Sequence, residues 1–361
     1  MKKFLLLLIL FSFVLSAAEQ GAKKKSAVVP ALENPKSWTI AVVPDIQVYI
    51  CKNINHGILD MMCAWLVHNK KKLNIQQVLF TGDLVNQNGT GRYRPGIVDL
   101  VCEEQWEACS RLLSRLDGRL PYVLCLGNHD YGINSSENRH TYFNKFFKSS
   151  RNPLSREQFV ECNTNAQGIN TMENAAFEFT APYPDERKFL IITIPFAPTD
   201  QQLAWSRRIA DMPRFADHFG IILTHSYMHA NGERIKDESR YNNMKRGGNP
   251  GEMIYQKVVA KSKNIRLVVC GHINGVENWE KSVGFSETVN GAGKKVAQMV
   301  FNTQAIGSWN GGDGWLRLLE FMPDKKTVKA RTYSPFFAAS SVTKHLAWKS
   351  DSRNEFSFVL E

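Results

Sequence analysis

The chain has 361 residues, of which 43% are hydrophobic and 22% charged, and its formal net charge at pH 7 is +11. This composition is typical of a globular protein and excludes the collagen-like, disordered and coiled-coil classes. The length is enough to bury a large hydrophobic core, so the fold needs no disulfide or structural zinc.

The first 18 residues have the pattern of a secretory signal peptide. Lys2 and Lys3 precede an apolar run from Phe4 to Leu15, and small residues at 16–18 offer a cleavage point before Glu19. The run is short for a membrane span, which favours a cleaved peptide over the alternative of an uncleaved anchor. We therefore expect a signal peptide at 1–18, a leader at 19–36 and a secreted or periplasmic mature protein with no membrane span.

The excess of positive charge gives little indication of a partner. Cleavage would remove two lysines and lower the formal net charge from +11 to +9. The two short lysine runs, at 23–25 and 70–72, are not interleaved with aromatic residues as a nucleic-acid groove requires. A lysine-rich solvated surface explains the charge as well as an anionic partner does. We expect no nucleic-acid partner.

The seven cysteines do not form a recognisable metal or disulfide pattern. Cys125 and Cys270 lie in apolar runs typical of buried strands. Cys102 and Cys109 are separated by roughly 10 Å along a predicted helix, too far to bridge each other. No CxxC pair is present, so a zinc knuckle is not indicated. One disulfide among the remaining cysteines is left open.

Short apolar runs alternate with helical patterns over most of the chain. The first predicted strands are 38–44, 77–81 and 122–126, with helices at 57–71 and 100–116. Residues 131–172 are polar and irregular, which predicts a long loop or a helical insertion. The later predicted elements are strands 175–179, 189–195, 219–224, 265–270, 295–301, 315–321, 327–332 and 356–360, with helices 200–211 and 252–261. This alternation predicts a parallel or mixed sheet covered by helices.

Five polar clusters directly follow apolar strands. They are Asp45-Ile46-Gln47, Gly82 to Asn86, Gly127-Asn128-His129-Asp130, His225 and Gly271 to Asn274. Open α/β sheets bind ligands at the carboxyl ends of their strands, so five clusters in this position indicate a functional site. A glycine before Asp83, Asn128 and His272 allows a sharp turn and a close approach of the backbone.

The residue types in these clusters suit a pair of divalent cations. Two such ions roughly 3.5–4 Å apart can clamp a phosphate group and stabilise an in-line displacement. Asp83 is the candidate for the bridging carboxylate. Further oxygen and imidazole ligands are available from Asp45, Asn128, His225 and His272. His129 and Asp130 form an adjacent pair suited to acid catalysis, in which the carboxylate orients the imidazole or raises its pKa.

The order D-x-[H/Q], GD-x-x-N, GNHD, H and GH-x-[H/N] resembles the calcineurin-like metallophosphoesterase superfamily. The motifs span Asp45 to Asn274, and the PDIQ start is similar to exported bacterial members with a PDxQ first motif. The resemblance implies an α/β fold, a four-layer αββα sandwich of two mixed β-sheets. One domain at 37–361 would then contain all the later elements.

The resemblance also implies two ion positions. The second ion would be held by Asp83, Asn128, His225 and His272, and the first by Asp45, Gln47, Asp83 and Asn274. Gln47 and Asn274 stand where most members have histidine, and amide oxygens bind borderline metals more weakly. We therefore expect two divalent ions, Mn, Zn, Fe or Mg, with a weak first position that favours Mn²⁺ or Mg²⁺.

The sequence thus predicts an exported, metal-dependent phosphoesterase acting on phosphomonoesters or phosphodiesters. By resemblance, a metal-bound hydroxide attacks phosphorus, His129 is the general acid and Asp130 is its partner. One alternative is a catalytically degraded protein on the same fold that binds a single metal. Another is a basic surface protein that binds polyanions, although such a protein would not need these motifs in this order. The substrate and the oligomeric state are left open.

Overall fold

The computed structural model describes residues 29–89, 98–165, 167–307 and 310–360. The predicted signal peptide and most of the predicted leader lie outside the described residues. The strands are β1 (Trp38–Val43), β2 (Ile75–Phe80), β3 (Tyr122–Leu124), β4 (Phe159–Thr164), β5 (Asn170–Thr180), β6 (Lys188–Ile194), β7 (Phe219–Thr224), β8 (Ile265–Cys270), β9 (Val283–Val289), β10 (Lys295–Phe301), β11 (Leu316–Phe321), β12 (Thr327–Tyr333), β13 (Trp348–Lys349) and β14 (Glu355–Val359). The α-helices are α1 (Gln47–Ile50), α2 (His56–Asn69), α3 (Cys102–Leu113), α4 (Phe143–Phe146), α5 (Pro153–Gln158), α6 (Asp200–Ala210), α7 (Asn242–Lys245), α8 (Gly251–Ile254) and α9 (Pro335–Ala338).

The strands form two mixed sheets. The first has the order β13-β12-β11-β1-β2-β3, with β14 also paired to β12, and the second has the order β4-β5-β6-β7-β8-β10-β9. In the first sheet β1, β2 and β3 are parallel, whereas β11 and β12 are antiparallel. In the second sheet β6, β7, β8 and β10 are parallel, with antiparallel neighbours on both sides. Parallel strands end at a common edge, where the polar clusters follow them.

The two sheets pack face to face through a shared hydrophobic core. Successive side chains of a strand point to opposite faces, so Ile40 and Val42 of β1 lie in this core while Ala41 and Val43 do not. Trp38 stacks on Phe321 of β11 at 4.3 Å between ring centroids, which joins neighbouring strands of the first sheet. Fully burying one large apolar side chain contributes about 1.5–3 kcal/mol, so this core is a major source of stability.

Helices cover the outer face of each sheet. Leu59 and Leu66 of α2 and Trp106 of α3 belong to the core on the outer face of the first sheet. Leu203 and Ile209 of α6 pack on the second sheet together with residues of α8 and of the π-helical turn Tyr255–Val259 that continues it. The fold is therefore the predicted four-layer αββα sandwich of two mixed β-sheets.

The elements missed by the sequence analysis lie mostly at sheet edges. Residues 131–172, predicted as a loop or helical insertion, contain α4, α5, the edge strand β4 and the start of β5. The edge strand β9 was not predicted. Most side chains of β4 and β9 are only partly buried or exposed, so neither strand carries a clear apolar pattern.

Two further features bear on the predictions. All seven cysteines carry free thiols, and Cys125 and Cys270 are buried as expected. None of the helices in the described ranges has the length and apolarity that a membrane crossing requires.

Candidate metal centre

The predicted polar clusters meet at one edge of the two sheets. Asp45 and Asp83 follow β1 and β2 of the first sheet, and His225 follows β7 of the second. Each of these three buried side chains offers an atom that could bind an ion, and the three atoms lie within 4.8 Å of one another. Among the described residues, no other group of three or more histidines, cysteines or acidic residues has this arrangement.

Close backbone approaches hold the two carboxylates in place. A Cβ added at Gly127 would lie 2.0 Å from Asp83 Oδ1, and one at Gly271 would lie 2.1 Å from Asp45 Oδ1. Only glycine fits at such distances. Asp83 and His272 themselves adopt left-handed backbone conformations, with φ of +48° and +68°. Such residues cost of the order of 1–3 kcal/mol each and are characteristic of functional sites.

Lone pairs converge beside the His225 ring. Its Nδ1 lies 2.9 Å from the carbonyl oxygen of Thr81, so Nδ1 carries the proton and Nε2 presents a lone pair. Nε2 is 3.1 Å from Asn128 Oδ1, 3.3 Å from Asp83 Oδ1 and 3.1 Å from His272 Nδ1. Burial lowers the pKa of His225 to about 4, so this ring is neutral at pH 7.

This arrangement fits an ion at the predicted second position. Asn128 Nδ2 donates to Ser135 Oγ, which fixes Oδ1 as the atom that faces His225. Neither this oxygen nor Asp83 Oδ1 has a hydrogen to place toward Nε2, so the three lone pairs repel one another. Ligands held about 2.1 Å from an ion lie about 3.0–3.4 Å apart, close to the spacing of these atoms. A divalent cation would turn the repulsion into attraction.

Glu238 supports the His272 ring. His272 Nε2 lies 2.7 Å from Glu238 Oε1, and Ser226 Oγ donates to Glu238 Oε2 at 2.6 Å. Burial alone would lower the pKa of His272, but the adjacent Glu238 carboxylate outweighs it and the pKa is raised. A carboxylate beside a histidine fixes the orientation and tautomer of the ring, and in the neutral His272 ring it would leave the Nδ1 lone pair facing His225 Nε2. Glu238 was not predicted from the sequence, because it lies in a loop without a recognisable pattern.

The surroundings of Asp45 at the predicted first position are different. Thr81 Oγ1 donates to Asp45 Oδ1 at 2.8 Å. Asp45 Oδ2 accepts from the main-chain nitrogen of His272 at 3.0 Å, from Asn302 Nδ2 at 2.6 Å and from Gln304 Nε2 at 3.3 Å. Burial raises the pKa of Asp45 to about 6. Asn302 and Gln304 come directly after β10, just as the predicted clusters follow their strands. They were nevertheless not among the predicted site residues.

The two amides predicted as first-ion ligands are placed differently from each other. Gln47 is buried, its Nε2 donates to Asp83 Oδ2 at 2.8 Å, and its Oε1 has no partner among the described residues. Asn274 is exposed, and its Nδ2 donates to the carbonyl oxygen of His272 at 3.2 Å. The Gln47 side chain is thus buried against Asp83, whereas the Asn274 side chain is exposed.

His129 lies at the rim of the centre and is partly exposed. Its main-chain nitrogen donates to Asp83 Oδ1 at 3.0 Å. Its Nδ1 lies 2.9 Å from the carbonyl oxygen of Asn86, so Nδ1 carries a proton and donates to that carbonyl. Nε2, on the opposite edge of the ring, is therefore the nitrogen available to a substrate.

Asp130 does not orient His129, contrary to the prediction. Its Oδ1 accepts from the main-chain nitrogens of Leu84 and Val85, at 2.8 and 3.1 Å, and its Oδ2 accepts from Gly127 at 2.7 Å. Both oxygens are thus occupied by backbone amides, and the Asn86 carbonyl takes the orienting position instead. Burial raises the pKa of Asp130 well above its usual range. The side chain ties the loops after β2 and β3 together.

The chain is similar to a protein family, to a curated protein and to a solved structure. The sequence model of a family described as calcineurin-like phosphoesterase matches residues 39–275, about two thirds of the chain. The uncharacterized protein YvnB of Bacillus subtilis (strain 168) is 26% identical over 325 residues. The match covers 89% of this chain but 22% of that protein, so the chain spans about a fifth of its relative's length. A solved structure described as GAP50, the anchor in the inner membrane complex of Plasmodium, aligns with a TM-score of 0.44 and 11% identity, covering 88% of this chain and 91% of that one.

Proposed function

The chain belongs to the calcineurin-like phosphoesterase family of hydrolases acting on phosphoester bonds, and from that premise we propose that it is an exported, metal-dependent phosphoesterase. Its substrates would be phosphomonoesters or phosphodiesters. The observation that carries the proposal is the convergence of lone pairs from His225, Asn128 and Asp83, with His129 beside them. Buried acceptors that face one another without hydrogens are unfavourable unless a cation binds between them.

Different residues of the chain would serve different steps of hydrolysis. Asp83, Asn128, His225 and His272 would hold the ion. When bound, a divalent cation supplies Lewis-acid activation of a phosphoryl oxygen and of water. Gly127 and Gly271 keep the carboxylates at their positions through close contact of the backbone.

His129 would donate a proton to the leaving group. The Asn86 carbonyl holds the proton on Nδ1, so a protonated ring would have its second proton on Nε2. From there it would pass to the leaving oxygen as the ester bond breaks, and general acid catalysis of this kind contributes about 10²–10⁴-fold. Because His129 is bonded through its main chain to Asp83, the acid is kept at a fixed distance from the ion position.

Export is the part of the proposal that rests on the N-terminal sequence. The lysines, the apolar run and the small residues of 1–18 support cleavage before Glu19, and we take 37–361 as one phosphoesterase domain. Mass spectrometry of exported protein should find an N-terminus near Glu19. An intact N-terminus in a membrane fraction would contradict this part of the proposal.

Turnover is tested with chromogenic phosphate esters. Purified protein beginning at Glu19, supplied with Mn²⁺, should hydrolyse p-nitrophenyl phosphate or bis(p-nitrophenyl) phosphate. Asp83→Asn should remove nearly all of this activity, whereas the exposed Asp217→Asn, the same chemical change far from the centre, should leave it intact. Ion binding without hydrolysis of either ester under Mn²⁺, Zn²⁺, Fe²⁺ or Mg²⁺ would favour the binding-protein alternative.

A further inference from the structure

We propose that the centre holds one divalent ion, and that the amide groups of Asn302 and Gln304 take the place of the first ion of the family's pair. The proposal rests on the proposed function, since it concerns the ion content of the same site. It is based on a difference between the two predicted ion positions: Asp45 at the first accepts several hydrogen bonds, whereas acceptors face one another beside His225 at the second.

Asp45 is already supplied with hydrogen-bond donors. Its two oxygens accept four hydrogen bonds, from the Thr81 hydroxyl, the His272 main-chain nitrogen and the amides of Asn302 and Gln304. Oδ2 accepts three of these bonds and Oδ1 one, so Oδ2 has no lone pair left for an ion, whereas Oδ1 keeps one. These donors stabilise the charged carboxylate, and a cation bound at Oδ2 would have to displace them.

The orientation of the Asn302 amide has independent support. Its Oδ1 accepts from the main-chain nitrogen of Gln304 at 3.2 Å, and a main-chain nitrogen can only donate. The Nδ2 group is therefore the end that faces Asp45, at 2.6 Å. Asn302 is fully buried and Gln304 nearly so, which means that water does not compete for these bonds.

Besides Asp83, whose Oδ2 already accepts from Gln47 Nε2, the remaining first-position ligands are two neutral amides. Gln47 offers one amide oxygen, the buried Oε1 that has no partner among the described residues. The Asn274 amide is exposed and bonded to the His272 carbonyl. Beside His225, by contrast, Nε2 faces Asn128 Oδ1 and Asp83 Oδ1, and neither oxygen carries a hydrogen while Asp83 is ionised. One position is therefore arranged for an ion and the other for hydrogen bonds.

The test is the number of ions bound per chain. Isothermal titration of metal-free protein with Mn²⁺, and separately with Zn²⁺, should give one ion per chain, confirmed by elemental analysis after desalting. Asn302→Asp replaces the donor with a carboxylate beside Asp45 and should raise the count to two at alkaline pH, where a cation and not a shared proton would hold the paired carboxylates together. Asn34→Asp makes the same change in an exposed turn before β1 and should leave the count at one.

The outcomes separate this proposal from the proposed function. Two ions per wild-type chain with ester hydrolysis would overturn the single-ion proposal and leave the phosphoesterase intact. One ion without hydrolysis would do the reverse, and binding of no ion would overturn both. A folded Asn302→Asp protein that still binds one ion would also count against the role of the amide. The wild-type count decides the matter even if that variant does not fold.

Discussion

His129 and Asp83 are joined by a hydrogen bond, yet their side chains are expected to serve different steps. Asp83 faces the ion position, whereas the ring of His129 is partly exposed and held by the Asn86 carbonyl. His129→Ala should therefore keep the ion and lower the hydrolysis rate by about 10²–10⁴-fold, as expected for a lost general acid. Steady-state rates with elemental analysis of the same samples would test this. Equal loss of ion from His129→Ala and Asp83→Asn would contradict the separate roles.

Glu238 provides a second test at the level of single residues, because it would affect ion binding by orienting the His272 ring. Glu238→Gln should weaken Mn²⁺ binding by about 10–100-fold, the usual effect of losing a carboxylate beside a ligating histidine. Glu233→Gln, an exposed change in the same loop, should not alter the affinity. Titration of the metal-free proteins gives the dissociation constants directly. Unchanged affinity in a folded Glu238→Gln protein would mean that ion binding does not depend on the Glu238 carboxylate beside the His272 ring.

At the scale of elements, Asp130 connects the loops after β2 and β3. Asp130→Ala would leave the amides of Leu84, Val85 and Gly127 buried without this acceptor, at a cost of about 1–3 kcal/mol for each. We expect a clear fall in the unfolding temperature together with weaker ion binding, since these loops carry the proposed ligands Asp83 and Asn128. Thermal unfolding with and without Mn²⁺ measures both effects, with the exposed Asp217→Ala as control. A variant as stable as the wild type would show that other contacts hold these loops.

The sequence predicted the central strands and the edge strands β3 and β14, but it missed the edge strands β4, β9 and β13. A strand such as β7, buried along its whole length, appears in the sequence as the uncharged, mostly apolar run FGIILT, which is typical of a buried strand. The edge strands β4 and β9 lack this run because solvent or a covering loop meets one face. Their pairing depends on neighbours distant in sequence, which no local pattern records.

The site residues likewise divide into those that a local sequence pattern indicates and those that it does not. Asp45, Asp83, Asn128, His225 and His272 were predictable because each directly follows a buried strand. Asn302 and Gln304 carry that signal too, but an amide without a motif is a common structural residue. Glu238 carries no local signal, and its contact with His272 joins residues in separate loops. The error over Asp130 arose because adjacency in sequence does not give side-chain direction.

At the scale of the whole molecule, Asp185 links the two sheets. Its Oδ2 accepts from Trp38 Nε1 of β1 at 2.8 Å, and its two oxygens pair with Arg187, just before β6. Burial alone would raise the pKa of Asp185, but the bonds from Arg187 and Trp38 outweigh it and the pKa falls below its usual 3.8. The charged form is thus favoured by folding, so its contribution is complete above about pH 4 and is lost as the pH falls further.

Asp185→Asn should therefore lower the free energy of unfolding at pH 7, by about 1.5–3 kcal/mol for hydrogen bonds to a charged group. The difference from the wild type should shrink at pH values below 3.8, where the unfolded carboxyl is also protonated. Urea unfolding of metal-free protein at several pH values would measure it. A difference that stays constant with pH would assign the effect to packing and not to charge.

The most direct measurement of the central claim, metal-dependent phosphoester hydrolysis, is the hydrolysis rate as a function of ions bound per chain. Metal-free protein would be titrated with Mn²⁺ while the release of p-nitrophenol and the bound ion are followed in the same samples. The account predicts no hydrolysis without ion, a rate that rises in proportion to the ion bound, and a plateau at one ion per chain. Hydrolysis by fully metal-free protein, or its absence at every level of bound ion, would contradict it.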